Sequence, residues 1–493
     1  MSIVAGSFAA ADGGPDPLDG FQAYLDRLVS DFGVPGAAVT VVGVGTSPRF
    51  FVSGVLGTED NRPVTPETSF DIASVTKGFT GTLAAILVGE GVVTWDTRVR
   101  DVLPEFQLKD AVATQNATLR DLLAHRTGMG RNSLPGFNLA EDPSWWLPRL
   151  RFLEPDGEFR DRDHYSGVMV TVAGLMLERA AGSTWDELLR ERLLNPLGMV
   201  GTTIGPPDAA NSNLALPHLR VDGETVAGPM IVSAPDVMQS GLYSTAEDMG
   251  RWFDFLLDAG RVGDSQLVSP TSLAETWTPQ MALRRPFNPG NPGVSAFGLG
   301  WQVGARHGQR MLSHAGGGAG STSYIALLPE LGVGVAVLTN SALNPIPDLA
   351  SYWILNRVFG VDEPDPTEGA LKMVARMEAM QQAAKERALA ARDPNDPPPL
   401  PLEDYAGTYS DFVYGTVEIG VEDGGLTCIF HGVELEVEHL HGNVFLFSSP
   451  LFDNLASEFE IGPAGSVTSV AVPVGRNGTS VVFERPATTQ PQN

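Results

Sequence analysis

"FDIASVTKGFTGTLAAILV", Phe70 to Val88, sets a serine and a lysine three residues apart at the mouth of an apolar run. The chain has only four lysines, Lys77, Lys109, Lys372 and Lys385, so one beside a buried helix face calls for a cause. Residues i and i+3 of a helix lie one turn apart on the same face. In the first turn, Ser74 would meet the positive end of the helix dipole, which favours an alkoxide and the oxyanion it generates. A lysine that is partly desolvated can accept a serine proton. Taken alone, the pair fits an N-cap serine and a surface lysine better. The apolar residues Phe79, Leu83, Leu87 and Val88 shift the reading, because an idle lysine on a buried helix is costly.

Outward from this stretch, residues 17–32 place Phe21, Leu25, Leu28, Val29 and Phe32 on one face of a helix. "GVPG" ends it, "AAVTVVGVG" reads as a buried strand, and "RFFVSGVLG" as its antiparallel neighbour. Far along the chain, "SYIALLPELGVGVAVLTN" reads as strand, turn at Pro329–Gly332, strand. Strands at both ends with helices between imply an α+β fold, an α/β sandwich whose antiparallel sheet is flanked by helices and carries an inserted helical subdomain. "STWDELLRERLLNPLGM" is a helix with capping-box spacing at Ser183 and Asp186, ended by Asn195-Pro196 and Gly198. A second helix runs from Thr245 to Gly260.

The texture changes after residue 365. Residues 366–401 read as a long helix followed by the stiff linker "PNDPPPLP", Pro394 to Pro401. Residues 402–486 alternate in short segments between glycine-rich and acidic turns, the pattern of a small antiparallel β-domain, sandwich or barrel. The tail 487–493 is expected to lack order.

The net charge of −27, from 59 acidic and 32 basic residues, disfavours nucleic acid and anionic membrane surfaces as partners. Cys428 is the only cysteine, which excludes an intrachain disulfide and a cysteine metal cluster. "MSIVAGSFAAADGG" lacks the basic and apolar regions of a secretory leader, so a cytoplasmic protein is expected. His439 and His441, read as sharing one strand face, lack a third ligand nearby, and no metal or other cofactor is expected. No G-x-S-x-G elbow and no phosphate-binding G-x-x-x-x-G-K loop occurs.

"FDIASVTKGFTGTLAAILVGEGVVTWDTRVRDVLPEF" resembles the nucleophile segment of the class C β-lactamase-like and penicillin-binding-protein-like serine hydrolases, in their esterase and D-peptidase branch. "TLRDLLAHRTGM", "HYSGVMVTVAGLMLERAAGSTWDELLRERLLNPLGM", "SGLYSTAEDMGRWFDFLL", "FGLGW" and "LSHAGGGAGSTSYIALLPELGVGVAVLTN" are similar to the family's later landmarks, in the same order over residues 17–360. The domain is drawn at 1–365, and the β-domain resembles the lipocalin-like domain attached to some members. The resemblance implies Ser74 as acyl-accepting nucleophile, Lys77 as its activating partner and Tyr165 as a proton shuttle. It places His314 at the first position of the motif that reads K-T-G in β-lactamases, followed by Gly316 and Gly317. The amides of Ser74 and Gly317 are then the expected oxyanion donors. His125 is expected to be structural. The segment between the landmarks offers Phe137, Trp145 and Trp146 either as an acyl pocket or as ordinary core.

One departure stands out. The family's tyrosine motif usually reads Y-x-N, with the asparagine on the lysine side, and the third residue here is Gly167. Together with His314 this points away from β-lactams and toward an ester, lactone or unusual amide as the small-molecule substrate. The same residues would serve acyl transfer to an alcohol or amine, and a non-catalytic assembly scaffold is the third reading. The β-domain could serve homo-oligomerisation or gating.

Overall fold

Gly36–Val42 and Val333–Thr339 are adjacent antiparallel strands in which every residue is buried. Alternation divides their side chains between two cores. Val39, Val41, Val335 and Val337 face the helices Phe21–Asp31 and Ile346–Phe359. Ala38, Val42, Ala336 and Leu338 point the other way, into a larger core that holds the helix Thr76–Gly89. The chain is seen here as a computed structural model, which describes residues 16–44, 47–131, 142–208, 212–231, 234–283, 295–452, 454–475 and 478–486.

These strands sit in an eight-stranded antiparallel sheet. From one edge its order is Met281–Ala282, Ala296–Phe297, Gln302–Arg306, Gln309–Gly317, Thr322–Leu328, Val333–Thr339, Gly36–Val42 and Arg49–Gly54. N- and C-terminal strands therefore meet inside one sheet, and the helices encoded between them cover one face. This is the sandwich expected from strands at the two ends with helices between them. The cap of the 185 helix differs from expectation by one residue. Thr184 and Glu187, not Ser183 and Asp186, form the capping box, while Ser183 Oγ donates to Glu187 at 2.6 Å.

The C-terminal segment forms a closed eight-stranded barrel in which each strand pairs with the next in sequence. Gly407–Asp411 closes it against Val481–Glu484. Closure removes sheet edges, which settles the choice between sandwich and barrel. Tyr409, Phe430, Phe447, Phe459 and Phe483 fill its interior. A bulge falls between His439 and His441, so the two do not share the simple alternation expected of them. The barrel is not free of the first domain. Arg149 Nε donates to the Phe412 carbonyl at 2.9 Å, Phe152 meets Phe412 edge-on, and Tyr414 packs against the larger core. Among the described residues no helix is long and apolar enough to cross a membrane.

Candidate active site

Ser74 lies in a single 3-10 turn, Ala73–Val75, that runs directly into the helix Thr76–Gly89. The turn is tied down on several sides. Asp71 accepts from Ala73 N and from Ser321 Oγ, both at 2.8 Å. Ile72 N donates to the Leu242 carbonyl at 3.1 Å, and the Ile72 carbonyl accepts from Ser323 Oγ at 2.9 Å. Ala73 holds a φ of 44°, a left-handed conformation that alanine seldom adopts. Such strain persists where the surroundings over-determine it, and here it sits one residue before Ser74.

Lys77 has no exposed surface, and its ammonium donates three hydrogen bonds. They reach Ser74 Oγ at 2.9 Å, the Gln239 carbonyl at 2.9 Å and Gln239 Oε1 at 2.6 Å. A buried ammonium must have its N–H groups satisfied, and these three acceptors do so without a carboxylate. Gln239 belongs to the short helix Val237–Ser240 and carries no motif in sequence. Only the packing of that helix on the one that bears Lys77 reveals it.

Tyr165 is placed by a clamp. Buried Asp121 closes a capping box with Thr118 and binds Arg126 Nε at 2.5 Å and Arg160 Nη2 at 2.6 Å. Arg160 N donates to the Arg126 carbonyl and His164 N to the His125 carbonyl, each at 2.8 Å. Segment 156–164 is thereby fixed to the 118–128 turn, and Tyr165 follows at its end. Lys77 Nζ stands 5.1 Å from the centre of the Tyr165 ring, with the Arg131 guanidinium at 4.9 Å. His125, Phe297 and His314 surround the ring with centroids at 4.5, 5.9 and 6.2 Å. His125 Nδ1 accepts from Ser166 N at 3.2 Å, and burial, with Lys77 close by, holds its imidazole well below the usual range.

His314 is buried on the strand Gln309–Gly317, and its Nδ1 donates to the Ala315 carbonyl at 2.8 Å. Burial and the charge of Lys77 push its pKa down to about 3, so the ring is neutral near pH 7. Gly316 is required by close approach: a Cβ there would stand 2.4 Å from the Ile72 carbonyl oxygen. Gly317 has open space on that side and lines the same cavity as Ser74.

That cavity measures about 850 Å³ and reaches from Ser74 and Gln239 to Leu451 of the barrel. Trp145 and Trp146 are not among its walls. Both are buried in the core, where Trp146 Nε1 donates to Asp236 at 3.2 Å and Arg149 covers Trp145 at 4.0 Å. Asp142 and Pro143 line the cavity in their place, so of the two readings the structure favours core for the tryptophans. Phe137 lies outside the described residues.

The buried imidazoles make a prediction about stability. His314 has a folded pKa of about 3 against an ordinary 6.5, so the unfolded chain binds more protons between those values. Its contribution is complete above pH 6.5 and declines as pH falls toward 3. His125 acts in the same direction, whereas Asp71, raised to about 6 by burial, contributes the opposite sign between pH 3.8 and 6. Going from pH 7 to 4.5, His314 alone costs ~2–3 kcal/mol. Thermal melts of wild type and His314→Gln over this window are expected to show a flatter pH dependence in the variant. Parallel curves would refute the assignment.

Residues 21–357 match the family model described as Beta-lactamase, and residues 391–485 match a domain of unknown function, DUF3471. The chain is 26% identical to the unguisins hydrolase ungD' of Aspergillus campestris, over 93% of this chain and 90% of that one. It is 30% identical to penicillin-binding protein 4 of Amycolatopsis lactamdurans, over 66% of this chain and 85% of the relative. Among solved structures, the octameric penicillin-binding protein homologue from Pyrococcus abyssi aligns with a TM-score of 0.59 at 20% identity, over 94% and 99% of the two chains. The class C β-lactamase from Rhodobacter sphaeroides aligns at 0.57 and 22%, over 69% and 99%. With the model matched across the whole sandwich, the chain belongs to the β-lactamase family of serine hydrolases.

Proposed function

We propose that this protein hydrolyses an ester, lactone or amide bond through an acyl-enzyme on Ser74. The observation that carries the reading is the buried Lys77 Nζ, 2.9 Å from Ser74 Oγ. Lys77, with Tyr165 beside it, takes the serine proton as Oγ bonds to the carbonyl carbon. The amides of Ser74 and Gly317 hold the oxyanion, each donor worth ~10²–10³-fold in rate. Water, activated by the same pair, then releases the acid.

Two features bear on the substrate. A cavity of about 850 Å³ suits an acyl group larger than that of a short-chain ester. Among the described residues lining it are Asp71, Asp142, Glu178, Asp186 and Asp236, with no lysine or arginine. Neutral His314 adds no positive charge at the position where β-lactamases carry lysine. Such a wall suits an uncharged or cationic substrate, and it disfavours the carboxylate of a β-lactam. The likeness to a hydrolase named for unguisins, which spans both domains, supports hydrolysis as the reaction. The barrel supplies part of the wall through Leu451.

Incubation of the folded protein with a fluorophosphonate is expected to add one adduct, located on Ser74 by peptide mass. A panel of p-nitrophenyl esters, neutral amides and nitrocefin is expected to give ester or amide turnover exceeding that of nitrocefin. An unlabelled Ser74, or dominant nitrocefin turnover, would overturn the reading. Products found only as acyl transfer to added alcohols or amines would make the protein a transferase.

A further inference from the structure

Gly167 and Gly174 lie seven residues apart on one face of the helix Gly167–Ala181. That face packs on the short helix Val237–Ser240. A Cβ at Gly174 would stand 2.3 Å from Met238 Sδ, and one at Gly167 would stand 2.5 Å from Gln239 Oε1. Each glycine therefore seats one side chain of the short helix. The short helix is also fastened to the one that bears Lys77. Thr80 Oγ1 donates to the Met238 carbonyl at 2.6 Å, and just beyond the short helix Leu242 N donates to Thr76 Oγ1 at 3.2 Å. Gln239 is delivered to Lys77 with both its oxygens in place, at 2.9 and 2.6 Å.

We infer that Gln239 is a positioning residue for Lys77, and that Gly167 is the vacancy that admits it. The inference rests on the reading of Ser74 and Lys77 as nucleophile and base. Before the attack the Lys77 ammonium gives up one proton to solvent, and as the neutral amine it then has two N–H bonds and one lone pair. The two oxygens of Gln239 take both N–H bonds, which leaves the lone pair for the Ser74 hydroxyl. In the attack, the Oγ–H bond breaks and the proton goes to Nζ. The Oγ electron pair forms the bond to the carbonyl carbon, and the carbonyl π pair moves to the oxyanion. The new third N–H then points at Oγ, which is the arrangement of three donors in the structure. Where the family's motif sets an amide beside the lysine from the third position of Y-x-N, this chain brings one from another segment. An asparagine at 167 and a glutamine at 239 would compete for one space.

The test uses the full chain, with the rate of Ser74 labelling by a fluorophosphonate and the kcat and KM for a p-nitrophenyl ester. Gln239→Met fills the groove over Gly167 but has no Oε1, and its melting curve checks the fold. It is expected to slow labelling and kcat by ~10–100-fold, the worth of one hydrogen bond to a charged group, with KM within about twofold. Gly167→Asn alone is expected to lose at least as much through collision with Gln239. The double variant Gly167→Asn with Gln239→Ala returns an amide from the other side and is expected to regain at least about tenfold over Gln239→Ala. Unchanged labelling in Gln239→Met would overturn the inference while leaving the Ser74 reading intact. So would a raised KM at constant kcat, which would make Gln239 a substrate contact, or a double variant no better than Gln239→Ala. A wild-type protein that forms no Ser74 adduct would overturn both.

Discussion

The Ser74→Ala variant is expected to lose about 10⁴–10⁶-fold in turnover while keeping its fold. The substitution removes Oγ and nothing else from a turn whose anchors are on neighbouring residues, Asp71, Ile72 and Ala73. Lys77 loses one of three acceptors and keeps the two oxygens of Gln239, so its ammonium is not abandoned in the core. The stability cost is therefore that of one hydrogen bond, ~1 kcal/mol. Residues that act as one unit are not additive, so Ser74→Ala combined with Lys77→Met is expected to be no slower than Ser74→Ala alone. What activity remains comes from substrate binding and from oxyanion donors that the variant retains. The check is kcat on the best ester or amide of the panel, with a melting curve and intact mass after fluorophosphonate. A variant that keeps a tenth of wild-type activity would place the chemistry elsewhere.

Much of this was legible in the residues. The near-continuous apolar runs in 36–42 and 333–339 marked buried strands, because a sheet covered on both faces leaves little room for polar groups. The Ser74–Lys77 spacing needed only a helix to become a contact, and the helix followed from its apolar run. Gln239 was not legible, since its role depends on Gly167 and Gly174, residues separated from it by more than sixty positions. An absence at 167 was visible in sequence, but what fills an absence is decided by packing. Trp145 and Trp146 stayed open between pocket and core for a related reason. Large aromatics suit a pocket wall and a core equally, and here the Asp236 carboxylate and the Arg149 guanidinium take their polar edge and π-face. The one-residue offset in the 185 helix arose because Ser183 and Thr184 are both competent caps, and only Thr184 has a glutamate three residues on. The bulge at His439 and His441 breaks an alternation that looked regular on paper.

Lys77→Met is expected to lower kcat by ~10²–10⁴-fold, the usual worth of a general base, and to leave the melting temperature unchanged or raise it. The two effects point in opposite directions because one property causes both. Lys77 is fully buried, and its hydrogen-bond partners are three neutral oxygens rather than a carboxylate. Placing an ammonium there costs several kcal/mol of solvation, which a methionine of similar length does not incur. Against this, the variant leaves the two Gln239 oxygens without their donor, at ~1–3 kcal/mol for each buried acceptor. These terms nearly balance, so a change within about 4 °C, or a gain, is the expected melting result. The charge also reaches His314 and His125, whose imidazoles it depresses together with burial. Removing it should move the His314 titration upward from about 3, though burial, the larger cause, keeps it below 6.5. By the same linkage, the variant should lose less stability than wild type as pH falls from 7 to 4.5. Imidazole NMR titration and melts at several pH values test this directly. A fall of more than about 10 °C with the loss of activity would make Lys77 a structural residue, and an unmoved His314 would separate it electrically from the site.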